Sequence, residues 1–451
     1  MAPALRVLLG TFGAMSIVAS ANAIHRTGIR IPDARGLLFR PAARFGDLVD
    51  PLQAVRTGLP YDPYTNIYGT LYPHGQNYPP GFIPLLRLLD IPSLRVAEAL
   101  LVLVLAVTFA LIARYVAFAD FPAIRDEVAV ITAVLTVIGV AKLDLYPVVA
   151  LAAGTVALFM ALRPPRDRTL SSSVLMIPIA LGFPTIFAVD RMNIDIAVFA
   201  LSVVAIVLVL RNRGTSGAAL IGIAAAMKVY PACLLVIERP KRAWSWIWLL
   251  LTAGVAFAVW SILGVAFTHY GVSGAVGGFR TVLAWYDTEY AVGNAGMEYG
   301  ASLLSGLKLV AYETGGDGKA LATSLFPVWR VAWIPLCAIV AVATVVLRFP
   351  VWARVTIAVT TMLLASPVTG GYRCLFLLIP LALWIGDTLR GSRKTHWTHG
   401  VAAGFGLALA PLTLWGHYLD DARSLTSETL LLPGALLLLL ISSSAAGWRN
   451  R

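Results

Sequence analysis

Apolar runs of near membrane-spanning length recur along the whole chain, separated by short polar connections. Taken between charged or turn residues, they fall near 5–23, 94–117, 128–143, 146–162, 172–189, 194–210, 243–267, 326–347, 354–366, 373–388, 398–416 and 428–446. A spanning helix needs about 20 predominantly apolar residues, and shorter runs are accommodated by local thinning of the bilayer. The pattern predicts an all-α polytopic membrane protein, a bundle of about 12 transmembrane helices.

One further apolar stretch, 215–238, breaks the alternation. Basic clusters sit at both of its ends, and it is too short to cross twice as full helices. The reading that fits is a re-entrant or broken hairpin of two short helices meeting at Pro231, with Lys228-Val229-Tyr230-Pro231 in the middle. Non-helical backbone at membrane depth is tolerated only against protein or a water-filled cavity. The alternative is an ordinary helix with a snorkelling lysine.

Composition agrees with the pattern. Of 451 residues, 59% are hydrophobic and 13% charged, with a mean hydropathy of +0.80. A soluble chain carries about 25% charged residues, so a soluble enzyme and a disordered scaffold are excluded. The formal charge of +12 is read through the positive-inside rule, with no nucleic-acid partner. Arg163/Arg166/Arg168, Arg211/Arg213, Arg239/Lys241/Arg242, Arg348/Arg354, Arg390/Arg393/Lys394 and Arg449/Arg451 form the basic side, read as cytoplasmic. The alternate short connections hold only Lys142, Arg191, Arg373 and Arg423. The first run ends in Ala21-Asn22-Ala23, which leaves two readings open, a signal peptide or an uncleaved first helix. Cys233, Cys337 and Cys374 lie in or beside apolar runs without metal spacing and are expected to be packing residues.

Two external segments, 24–93 and 268–325, are too long for turns and are rich in Tyr, Trp, Gly and Pro. They are expected to be ordered, with short interfacial helices, and to carry the function. In the first, Asp47 and Asp50 stand three apart and would share one face of a short helix. A carboxylate on an external loop beside an apolar shelf suits deprotonation of a hydroxyl that attacks a lipid-borne electrophile. Cations come from Lys228, from Arg373 after Ser366-Pro367-Val368-Thr369-Gly370-Gly371-Tyr372, and from Arg191 within Asp190-Arg191-Met192-Asn193-Ile194-Asp195. An intramembrane cation costs about 2.5–3.5 kcal/mol on insertion scales and so implies a partner. For Lys228 that partner is either Asp190 or Asp195, or the phosphate of a lipid substrate. The second segment adds His269, Trp285-Tyr286-Asp287-Thr288-Glu289-Tyr290 and Glu298-Tyr299. Aromatics mixed with carboxylates fit either a sugar site or an interfacial aromatic belt. No metal-ligand spacing, phosphate loop or nucleophile elbow is present in the sequence.

Taken in chain order, these motifs resemble the polyprenyl-phosphate-sugar-dependent glycosyltransferases of the GT-C superfamily, and glycosyltransferase family 87 in particular. The matching pieces are Gly46-Asp47-Leu48, Pro60-Tyr61-Asp62-Pro63, Tyr78-Pro79-Pro80-Gly81, Asn193, Lys228-Val229-Tyr230-Pro231, Glu298-Tyr299-Gly300-Ala301-Ser302-Leu303, and Ser366-Pro367 with Gly371-Tyr372. The family includes phosphatidylinositol mannoside mannosyltransferases and a cell-wall arabinofuranosyltransferase. The resemblance implies an inverting transfer of a sugar, mannose first and arabinofuranose second, to a glycolipid or polysaccharide acceptor on the external face of the plasma membrane. It implies Asp47 as the base, with Asp50 the alternative, because Leu48 is followed by Val49-Asp50-Pro51 where the family often has x-Val-Tyr. Lys228, Arg373, Arg191 and His269 would hold the donor phosphate. Tyr78, Asn193, Tyr230, Glu289, Glu298, Tyr299 and Tyr372 would line the sugar and acceptor site. No metal or other cofactor is expected. A lipid-linked sugar flippase is the competing reading, and it would tolerate Asp47→Asn.

Overall fold

The computed structural model describes residues 1–27, 79–88, 94–141, 145–190, 193, 195–238, 243–293, 300–391, 397–411, 417–420, 423–425 and 428–449. They are almost entirely helical. The first part of the chain forms α1 (Pro3–Thr27), α2 (Ile83–Leu88), α3 (Leu94–Ile112), α4 (Arg125–Ala141) and α5 (Tyr146–Leu162). Next come α6 (Arg168–Val174), α7 (Ile177–Ala180), α8 (Phe183–Asp190), α9 (Asp195–Leu210) and α10 (Gly214–Met227). They are followed by α11 (Ala243–Ala266), α12 (Val272–Tyr286), α13 (Leu303–Glu313), α14 (Gly318–Val346) and α15 (Val351–Ala365). The chain closes with α16 (Leu378–Leu389), α17 (Trp397–Leu409) and α18 (Glu428–Arg449). A short antiparallel pair, β1 (His417–Asp420) with β2 (Arg423–Leu425), joins the last two.

Among the described residues, five helices are long and apolar enough to cross a membrane: α1, α3 with its π-helical end, α11, α14 and α18. A sixth is reached if α6–α7 and α8, bent by 46°, count as one broken span. The bend falls in the predicted run 172–189, where Pro178 and Pro184 each remove a backbone donor and Gly182 packs on the Pro178 carbonyl. The helices α5, α9, α10 and α15 are apolar but shorter. The predicted run at 326–347 belongs to a longer helix, because Asp317 caps α14 by accepting from Ala320 N at 3.0 Å and so starts it eight residues earlier.

The core is held by small residues. At Gly13 of α1 an added Cβ would stand 2.6 Å from the Gly154 carbonyl of α5, so the two backbones touch. Leu5, Leu8, Leu9 and Phe12 are buried, and Arg6 Nε donates to Ala161 O at 2.6 Å, so α1 is part of the core. Every residue of α15 from Trp352 to Ala365 is buried. Its Thr356 and Thr360 hydroxyls donate to the carbonyls four residues back, at 2.7 Å each, which lets them sit among apolar neighbours. By contrast α11 and α14 turn Trp248, Leu251, Val255, Ile262, Val331 and Ile339 outward. That much exposed apolar surface is compatible with helices that cross a membrane.

Two described members of the basic clusters, Arg211 and Arg390, come to one end beside the turn that follows α3. Arg114 and Arg211 both stack on Tyr115, and Arg390 pairs with Asp120. Arg114 also pairs with Asp126 at 2.9 Å, while the neighbouring Glu127 accepts from Thr169 at 3.0 Å. Gly214, at the start of α10, packs against the Glu238 carboxylate, so the two ends of the stretch 215–238 meet here. Arg354, of the Arg348/Arg354 cluster, is buried and donates through Nη1 to Glu238 O at 3.1 Å. It satisfies a carbonyl at the end of the returning segment, where a helix end leaves acceptors unfilled.

Candidate functional site at the helix breaks

Three interruptions of helical backbone lie close together around the end of α10. The first is the tip of 215–238. Here α10 ends at Met227, Lys228 is extended with φ −153° and ψ 130°, and a 3-10 helix, Tyr230–Ile237, returns. The break falls at Lys228, three residues before the expected Pro231. Proline lacks the N–H that a helix interior needs but is tolerated in a first turn, so Pro231 opens the returning segment and the chain bends ahead of it.

The second interruption follows α15. Ser366 Oγ donates to Val368 O at 2.8 Å and Thr369 Oγ1 to Leu363 O at 2.8 Å, closing the turn with its own side chains. A 3-10 helix, Gly371–Leu377, then carries Arg373, whose Nη1 donates to Val368 O. The two breaks share Tyr230. Its ring lies edge-on to Phe376 at 5.0 Å, with Arg373 5.4 Å and Lys228 6.0 Å from its centre. Both cations are thus held at one aromatic ring.

Facing them is the start of α9. Asn193 and Asp195 are fully buried, and the Asn193 side-chain oxygen accepts from Asp195 N at 2.9 Å. Lys228 Nζ lies 2.5 Å from Asp195 Oδ1. Each charge sits where the backbone favours it, Asp195 in the first turn of α9 and Lys228 just past the last turn of α10. Of the two partners open to Lys228 from the sequence, the structure supplies the carboxylate.

The third interruption is Pro79–Phe82, within the long segment 24–93, wedged between α10 and α11. A Cβ on Gly81 would lie 2.5 Å from the Ala226 carbonyl, and Gly264 of α11 packs directly on the Pro80 carbonyl. Gly264→Ala is therefore expected to drive the wedge off α11, at a cost of about 1–3 kcal/mol for overpacking. A lowered unfolding midpoint in detergent, with Gly254→Ala unchanged because nothing stands within 4 Å of it, is the check.

The second long segment, 268–325, expected from sequence to be external, contains α12, a π turn (Asp287–Val292) and α13. It is anchored to the second break, since Ser302 Oγ donates to Pro367 O at 3.1 Å and Ala301 N to Thr369 O. Lys308 is buried and escaped the sequence reading. Its ammonium donates to the carbonyls of Tyr290, Ala291 and Gly293 at 3.0, 3.0 and 2.9 Å, capping the π turn. Burial pulls its pKa down to about 8, against about 10.4 for a free lysine. The unfolded chain then binds more protons between these values, so stability from this residue rises as pH goes from about 8 to about 10. Unfolding midpoints measured across pH 7–10 are expected to show that rise in the wild type and to lose it in Lys308→Met.

Of the residues singled out from sequence, Lys228, Tyr230, Asn193 and Arg373 are brought together. Tyr372 lies in the 3-10 helix beside Arg373. His269 and Glu289 are exposed on the second external segment. Asp47, Asp50, Tyr78, Arg191, Glu298 and Tyr299 lie outside the described residues. No group of three potential metal ligands occurs among the described residues. No family model matches the chain, and neither a curated protein nor a solved structure matches it.

Proposed function

We propose that this chain is a membrane glycosyltransferase of about 12 spans that moves a sugar from a polyprenyl-phosphate donor to a hydroxyl of a glycolipid or polysaccharide. The active site would face the exterior, opposite the basic end. The observation that carries this reading is the meeting of two broken segments at Tyr230, with two cations on its ring and a third segment wedged against the end of α10. Broken backbone at membrane depth belongs where it lines a cavity or packs on protein, and intramembrane cations belong where an anion must be held.

The reaction is a single displacement. Asp47 takes the proton of the acceptor hydroxyl. The acceptor oxygen bonds to the anomeric carbon as the bond to the phosphate oxygen breaks, and polyprenyl phosphate leaves with that electron pair. Arg373 and Lys228 stabilise the charge arriving on the phosphate, which is electrostatic stabilisation of the developing anion. One displacement inverts the anomeric centre, so a β-linked mannosyl donor gives an α-mannoside.

The test is a transfer assay with purified protein in nanodiscs, supplied with polyprenyl-phosphate mannose and a crude lipid acceptor pool. A mannosylated product supports the reading, and polyprenyl-phosphate arabinose is the next donor. If neither donor is consumed while sugar-lipid crosses the bilayer of proteoliposomes, the protein is a flippase and the transferase reading is wrong.

A further inference from the structure

The pairing of Lys228 with a carboxylate raises a question about a residue meant to hold a phosphate. An ammonium locked permanently to Asp195 would have nothing to offer an anion. Four observations favour a pair that opens.

The contact is made at one point. Lys228 Nζ approaches Asp195 Oδ1, yet neither carboxylate oxygen has an aligned hydrogen-bond partner among the described residues. A closed buried ion pair would fill those lone pairs, because its desolvation is offset only by good geometry and further hydrogen bonds. Second, the two partners differ in access: the lysine side chain keeps 7% exposure and the aspartate none. An incoming anion therefore reaches the cation first. Third, Asp195 does not depend on the lysine for its place. Asn193 holds its backbone N–H, and its position in the first turn of α9 stabilises its negative charge after the lysine moves. Fourth, Tyr230 carries Arg373 as well, so a headgroup engaging the guanidinium comes within reach of the lysine over the same ring.

We propose that Asp195 is a positioning residue that holds the Lys228 ammonium at Tyr230 and yields it to the phosphate group of a membrane-borne lipid. The inference deepens the transferase reading and rests on it for the identity of the lipid. No covalent bond changes in this step; one ion pair replaces another. Asp195 acts through Lys228 and never touches the ligand. It pairs with the lysine when no phosphate is there and competes with the phosphate for it, so that the leaving lipid is released after transfer.

Binding measures this directly. Polyprenyl phosphate is titrated into detergent-solubilised full-length protein, comparing wild type with Asp195→Asn, Lys228→Met, Arg373→Gln and the double variant Lys228→Met/Asp195→Asn. With its competitor gone, Asp195→Asn is expected to bind about tenfold more tightly, and Lys228→Met at least tenfold more weakly. The double variant should bind as weakly as Lys228→Met, because the gain from Asp195→Asn exists only through the lysine. The double variant removes both charges together, so it keeps the test open if either single variant fails to fold. Wild-type affinity in the double variant would overturn the proposal, as would unchanged or weaker binding by folded Asp195→Asn. Inorganic phosphate forms a separate arm. Lysine-dependent binding of the lipid phosphate with none of the inorganic ion supports a membrane-borne ligand, and the reverse overturns it. If Arg373→Gln alone abolishes binding, the exchange is wrong while the transferase stands. If wild type binds no polyprenyl phosphate at all, both fail.

Discussion

Lys228→Met is expected to destabilise the protein by about 3–5 kcal/mol, the usual result of stranding one member of a buried ion pair. Asp195 has no exposure, so its charge has no water to turn to. Its place in the first turn of α9 offsets up to about 2 kcal/mol of that loss, which favours the lower half of the range. The companion result is more diagnostic. Lys228→Met/Asp195→Asn removes both charges and is expected to regain most of the lost stability, since coupling between contacting residues makes their effects non-additive. Unfolding midpoints in a mild detergent at neutral pH, with all three variants side by side, decide it. Equal midpoints for the single and double variants would mean that the pair carries no charge.

How much of this was legible in the chain depends on whether a feature is local. The helical character of the apolar runs is legible in the chain, but among the described residues only five of these helices, or six with the bent pair, have spanning length. The run 172–189 was located correctly, but its bend depends on Gly182 meeting the Pro178 carbonyl, a contact that hydropathy does not carry. The flanking charges of 215–238 suggest a hairpin; in the structure Gly214 packs on the Glu238 carboxylate. Its break was placed at Pro231 by a rule about helix interiors, whereas the chain uses that proline to begin the returning segment.

Tertiary partners were harder. The sequence places Arg354 in a basic cluster at a helix end, but nothing in its neighbours shows that Glu238 O and Ile237 O lie opposite. The wedge of Pro80 against Gly264 joins distant parts of the chain and has no local signature. Lys308 did leave one. Lysine among Leu304, Leu307 and Leu309 on a short amphipathic helix is a charge on an apolar face, which asks for a partner even where no carboxylate supplies it. The partners proved to be three carbonyls.

Asp47→Asn is expected to lower the turnover of sugar transfer by about 10²–10⁴-fold, the range for loss of a general base. Asparagine keeps the size and polarity of aspartate but takes no proton from the acceptor. Polyprenyl phosphate needs no protonation to depart, so proton removal from the acceptor is the chemical demand left to a side chain. Donor affinity should stay near the wild-type value, because in the proposed site the phosphate would be held by Arg373 and Lys228, which lie at Tyr230, rather than by a carboxylate of the segment 24–93. This split separates the base from the cations, since Arg373→Gln should weaken donor binding as well as turnover. Asp50→Asn is the internal comparison, three residues away on the same segment. Loss in Asp47→Asn with a near-normal Asp50→Asn assigns the proton transfer to Asp47, and the opposite result assigns it to Asp50. Full turnover in both variants would leave the acceptor hydroxyl without a base in that segment and would end the mechanism proposed for it.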